Sequence, residues 1–158
     1  METATRINDT IVCEIDIDAP PERVFQAWID PGQRLAWWGD DATYRCSSMD
    51  SDLRVGGKWI TRGRGMEGKD FTVQGHYTRI EPPRVLGFTW NHDWSDTPMP
   101  ETHVLIELTP TSSGTHVTVT HSGFTDAPSR EGHNHGWIRV LGWLRGYLQT
   151  TGSRTSPG

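Results

Sequence analysis

The spacing of apolar residues changes period once along this chain, and that change limits the fold more than any other feature. From Thr10 to His121 apolar residues alternate in short runs, whereas Trp137, Leu141, Leu144 and Leu148 recur at steps of four, three and four. Alternation places every second side chain on one face of a strand; steps of three and four place them along one face of a helix. A sheet with one polar face must bury its other face on something. Only the C-terminal helical segment is long enough to cover it.

Strands are expected at Thr10–Ile17, Thr43–Met49, Gly56–Arg62, Phe71–Ile80, Val85–His92, His103–Thr109 and Thr115–His121. Pro20 and Pro21 suit the first turn of a short helix with Val24, Phe25 and Trp28 on its apolar face. Asp30-Pro31-Gly32 breaks that helix, and Gln33–Trp38 reads as a second short helical turn. Glu81-Pro82-Pro83 and Thr111-Ser112-Ser113-Gly114 punctuate as turns, and Asn91–Pro100 as a polar loop. Gly63-Arg64-Gly65 reads as a loop between strands, not as a phosphate cradle at a helix N-terminus. This spacing is that of an antiparallel meander and not of βαβ units.

The long helix is expected from about Arg130 to Gln149. Gly136, Gly142 and Gly146 weaken its intrinsic helicity by up to about 1 kcal/mol each, so packing must hold it. The same glycines suggest close approach to the sheet. The fold class is therefore α+β: a curved antiparallel sheet of about six or seven strands wrapped around a long C-terminal helix, with two short helices after the first strand. One domain is expected over residues 8–149, with 1–7 and 150–158 as flexible termini.

Composition narrows the function. A chain of 158 residues suits one domain and can bury a core without a disulfide or metal. A net charge of −5 argues against nucleic acid or an anionic membrane as a main partner. No run of apolar residues is long enough to span a bilayer, and the N-terminus lacks a secretory pattern. Cys13 and Cys46 form no metal or redox spacing, which favours reduced thiols and a cytoplasmic location. Eight tryptophans stand out against this background. Several of them are expected to line a cavity, as aromatic residues do in small-molecule sites.

Trp38, Trp59, Phe88, Trp90, His121, Phe124, Trp137 and Leu141 fall on expected inward positions or beside the opening of such a cavity. His121 shares a face with Val117 and Val119. A histidine there can serve as a general acid or base, but a hydrogen-bonded histidine ending a strand is the favoured reading. His76 and His92 reach the interior only if strand register turns them inward. His133-Asn134-His135 is the one close histidine pair; its side chains diverge on a helix, and the two read as solvated loop histidines. No metal or cofactor is expected. Glu14 and Asp16 lie on a polar face, and Ser122 lacks a nucleophile elbow. Arg62 and Arg64 read as solvated, with a cavity mouth as the alternative.

The element order carries a set of phrases: Ala19-Pro20-Pro21-Glu22-Arg23-Val24-Phe25, Trp37-Trp38-Gly39, Gly56-Gly57-Lys58-Trp59, Glu81-Pro82-Pro83 with Phe88-Thr89-Trp90, His121-Ser122-Gly123-Phe124, and Gly136-Trp137 before the leucine stripe. Over roughly residues 8–149 these resemble the START/Bet v 1-like (SRPBCC) superfamily. More closely, they resemble bacterial single-domain relatives of the C-terminal domain of heat-shock protein 90 ATPase activators. Asp40 departs from the pattern, since proline often follows Trp-Trp-Gly there. The resemblance implies a helix-grip fold and a hydrophobic cavity, and no fixed reaction. The first expectation is therefore binding of a small apolar or aromatic molecule. The second is an interaction module acting on the heat-shock ATPase. The third is an enzyme of the polyketide cyclase or aromatase type. A homodimer through an open sheet edge is a further possibility.

Overall fold

A computed structural model describes residues 9–40, 44–65, 68–92, 101–125 and 127–155, with side chains described to Gln149. Seven strands and three helices follow in the order β1 (Thr10–Ile17), α1 (Pro21–Ile29), α2 (Pro31–Trp37), β2 (Tyr44–Ser51), β3 (Lys58–Gly65), β4 (Asp70–Glu81), β5 (Val85–His92), β6 (Thr102–Pro110), β7 (Thr115–Ser122) and α3 (Ala127–Thr155). The strands form one antiparallel curved sheet in the order β1-β7-β6-β5-β4-β3-β2. The meander thus runs in sequence from β2 to β7, and β1 closes the far edge. Cys13 on β1 and Cys46 on β2 sit at opposite edges and are both free thiols.

The strands bury the faces that alternation assigned. Val104, Ile106 and Leu108 of β6 are buried, as are Val117, Val119 and His121 of β7 and Val73 and Tyr77 of β4. On α3 the stripe of Trp137, Leu141, Leu144 and Leu148 is buried together with Val140. Tyr147 is half-buried. The helix lies over this apolar face, and the Cys13 thiol reaches the Asn134 side-chain oxygen at 3.3 Å. α1 and α2 pack beside it, with Val24, Phe25, Ala27 and Trp28 buried.

Several local expectations change. Asp30-Pro31-Gly32 ends one helix and also starts the next: Pro31 occupies the first turn of α2, and the Asp30 carboxylate accepts from the Gly32 amide. The turn expected at Gln33–Trp38 is thus the helix Pro31–Trp37. Gly63-Arg64-Gly65 is the end of β3 and not a loop. A Cβ on Gly63 would overlap the Arg45 carbonyl oxygen and the Phe71 ring, so this glycine serves close packing between strands. Gly56 and Gly57 lie in the turn before β3, where Gly56 has φ +85°. Conversely, a Cβ on Gly136, Gly142 or Gly146 would meet nothing within 4 Å, so the α3 glycines do not bring the helix close to the sheet. The helix extends beyond Arg130–Gln149 at both ends. Of the loop expected at Asn91–Pro100, Asn91 and His92 belong to β5, and 93–100 lie outside the described residues.

Candidate functional site

The inward face of β5 supplies the centre of the aromatic interior. Trp90 lies 5.9 Å from Trp59 of β3, 5.9 Å from Trp137 of α3, 6.2 Å from Trp38 and 5.8 Å from His121, ring centre to ring centre. Trp59 in turn meets Phe88 edge-on at 5.4 Å, and His121 meets Phe124 at 4.6 Å. Seven of the residues singled out in the sequence, Trp38, Trp59, Phe88, Trp90, His121, Phe124 and Trp137, therefore form one connected aromatic cluster. Leu141 is buried one turn further along α3. Trp28 and Trp37 join the cluster from α1 and α2, with Trp28 5.1 Å from Trp37 and 6.1 Å from Trp38. Their helical spacing had marked Trp28 only as core.

The indole N–H groups divide into two sets. Trp37 donates to the Ala27 carbonyl oxygen at 2.9 Å, Trp38 to the Tyr44 hydroxyl at 2.9 Å, and Trp137 to His121 Nδ1 at 3.0 Å. Trp28, Trp59 and Trp90 present buried Nε1 atoms that meet no acceptor among the described residues, and the Thr61 hydroxyl is in the same condition. Buried polar groups in native proteins overwhelmingly have partners, so such a group calls for water or a ligand.

His121 is fully buried and engaged on both nitrogens. The Thr102 hydroxyl donates to the Trp90 carbonyl oxygen at 2.9 Å and therefore accepts from His121 Nε2 at 2.7 Å. Nδ1 then accepts from Trp137. The ring is neutral, and burial, with His133, His92 and His103 nearby, pushes its pKa down to about 2. It ties β7, β6, β5 and α3 together and has no free nitrogen for proton transfer.

Register turns His92 inward and His76 outward. His133 is not a solvated loop residue. It lies in the first half of α3 with its ring stacked on His92 at 5.1 Å and tilted against Phe124 at 5.0 Å. His135 is exposed on the same helix. Arg62 and Arg64 are exposed and paired with Asp50 at 3.7 Å and Asp70 at 3.1 Å, away from the cluster. Glu14 and Asp16 are exposed but bracket His116 at 2.7 Å each, and those bonds raise the His116 pKa.

The residue that sequence reasoning missed is Arg34 of α2. It is 6% exposed. Its Nη1 donates to the Trp28 carbonyl oxygen at 3.1 Å, and its guanidinium lies 4.5 Å from the centre of the Trp38 ring and 5.9 Å from that of Trp28. Desolvation lowers its pKa, yet a guanidinium stays charged. The titratable side chains near it are Tyr77, Cys46 and Tyr44. Burial pushes Tyr44 up to about 12 and Cys46 up to about 11, so neither supplies a negative charge at neutral pH. The arginine was illegible because one apolar-period step in a seven-residue helix carries no burial signal.

A separate open groove of about 470 Å³ lies between α2 and α3, walled by Ala36, Trp37, Arg45, Gly142, Trp143 and Tyr147. Asp40, the departure from the expected motif, accepts from Trp143 Nε1 at 3.1 Å beside it. Gly39 before it has φ +113°, and a Cβ there would overlap the Tyr44 carbonyl oxygen.

The comparisons with known proteins agree with this architecture. A protein of Chromobacterium violaceum shares 28% identity at a TM-score of 0.78, over 89% of this chain and 97% of that one. A protein of Rhizobium loti shares 28% at 0.76, over 90% and 98%. The AHSA1 protein of Silicibacter pomeroyi shares 27% at 0.77, over 90% and 99%. No curated protein matches the chain. The profile of the family described as "Activator of Hsp90 ATPase homolog 1-like protein" matches residues 18–149, and the chain belongs to that family, within the SRPBCC superfamily.

Proposed function

We propose that this protein binds a small apolar or aromatic molecule in the interior framed by Trp38, Trp59, Phe88, Trp90, His121, Phe124, Trp137 and Leu141. The observation that carries the reading is the set of buried indole donors of Trp28, Trp59 and Trp90, which have no acceptor among the described residues. An unsatisfied buried donor costs about 1–3 kcal/mol, and three within connected aromatic walls favour an occupant that carries acceptors on a flat apolar body. Native mass spectrometry of the purified protein, followed by extraction, tests this. A retained small molecule, or a rise in melting temperature with apolar aromatic compounds, is the expected result. Bare protein mass together with no thermal shift across such compounds would remove the reading.

Family membership favours a second reading, a module that acts on an Hsp90-type ATPase. Its test is the ATPase rate of that chaperone with and without this protein. An unchanged rate and no co-purification would dismiss it. Nothing in the geometry of His121 favours the cyclase or aromatase reading, because both ring nitrogens are already committed.

A further inference from the structure

Arg34 carries its charge into the interior, where it is 6% exposed. Its Nη1 donates to the Trp28 carbonyl oxygen, and no carboxylate pairs with it among the described residues. A buried cation without a counter-charge costs several kcal/mol, and the Trp38 face at 4.5 Å returns only a part of that. Arginine is also the side chain whose planar fork matches a carboxylate in two parallel hydrogen bonds.

The surroundings state what kind of anion fits. Trp28 and Trp38 lie against the guanidinium, and the Trp38 ring stacks on Trp90. Tyr44, Cys46 and Tyr77 approach from β2 and β4. On β3, the strand between those two, Thr61 is 7% exposed and its hydroxyl has no partner among the described residues. One fixed positive charge, one spare hydroxyl and aromatic walls suit a monoanion. A dianionic phosphate would leave a net negative charge buried, which the same desolvation argument opposes.

We propose that Arg34 is the anion anchor of the interior site and that the ligand is an apolar or aromatic carboxylic acid, held by the Arg34 fork with the Thr61 hydroxyl as a second donor. This rests on the interior-ligand reading above and adds to it the charge of the ligand.

The test compares acids with their neutral isosteres at pH 7. The probes are 1-naphthylacetate, indole-3-acetate and decanoate, each paired with its primary amide, and binding is read by calorimetry and tryptophan fluorescence. The wild-type protein is expected to bind at least one acid roughly tenfold or more tightly than its amide, the range of a charge-assisted hydrogen bond. Arg34→Met keeps an apolar stem over Trp38 and is expected to abolish the preference for the acid, bringing acid and amide affinities level. Equal affinity of the wild type for acid and amide overturns the anchor and leaves the interior-ligand reading standing. Failure of both acids and amides to bind sinks the two together. The wild-type comparison needs no variant, so a poorly folding Arg34→Met does not protect the proposal. Arg34→Lys, which keeps the charge and loses the fork, is expected to retain a reduced preference for the acid.

Discussion

At the residue scale, the same physics gives two buried polar side chains opposite treatments. His121 is buried neutral, with each nitrogen matched to a partner, so its cost is small and its role is to bind elements together. Arg34 is buried charged, with no carboxylate paired to it among the described residues. The histidine makes a prediction about pH. Its folded pKa of about 2 lies below its ordinary value of 6.5, so the unfolded chain binds the extra proton first. Stability from this group is complete above about 6.5 and falls as pH drops toward 2, by up to about 1.4 kcal/mol per pH unit. His116 acts in the other direction, since its pKa is raised by its bonds to Asp16 and then Glu14, but it is partly exposed and solvent screens the effect. Urea denaturation between pH 4 and 8 is expected to show a shallower acid slope for His121→Leu than for the wild type. At pH 7 the variant should also lose about 2–4 kcal/mol, because Trp137 and Thr102 lose their partner. An unchanged acid slope would show that other groups set it.

At the element scale, the glycines separate into those that serve geometry and those that do not. Gly75 on β4 lies where a Cβ would overlap the Thr89 carbonyl oxygen, next to the bond from the His76 amide to the Thr89 hydroxyl. Gly142 and Gly146 on α3 face open space. Gly142→Ala and Gly146→Ala are each expected to raise stability by about 0.5–1 kcal/mol, through better helix propensity and a smaller unfolded ensemble. Gly75→Ala is expected to lower stability, because strand β4 must move away from β5. Thermal melts of the three variants give the signs, and a stabilising Gly75→Ala would contradict the packing described here. Sequence periodicity had placed these glycines in their elements correctly. It could not separate them, because propensity is a property of one residue and clearance is a property of its neighbours.

At the scale of the whole molecule, the sheet and α3 bury an aromatic cluster in which the Trp28, Trp59 and Trp90 indoles and the Thr61 hydroxyl have no hydrogen-bond partner among the described residues. On the proposed function, a ligand held there would couple to folding, since the unfolded chain offers no such interior. At a hundred times its dissociation constant it adds about 2.7 kcal/mol. For a domain of this size that is a rise of several degrees in melting temperature. Among the described residues no helix is long and apolar enough to cross a membrane.

The sequence by itself determined the element order, the antiparallel meander, the buried stripe of α3 and seven members of the aromatic cluster, but not Trp28, Trp37 or His133. These follow from the period of apolar residues, which each segment carries locally. It also identified His121 as inward-facing. Tertiary structure alone decided what those groups touch. Thr102 and Trp137 meet His121 from two other elements. His133 turns from a presumed solvated residue into a partner of His92. Arg34 comes to rest on Trp38, facing neutral groups of β2 and β4. Burial and hydrogen-bond matching are set by neighbours far apart in the chain, and a local pattern does not contain them.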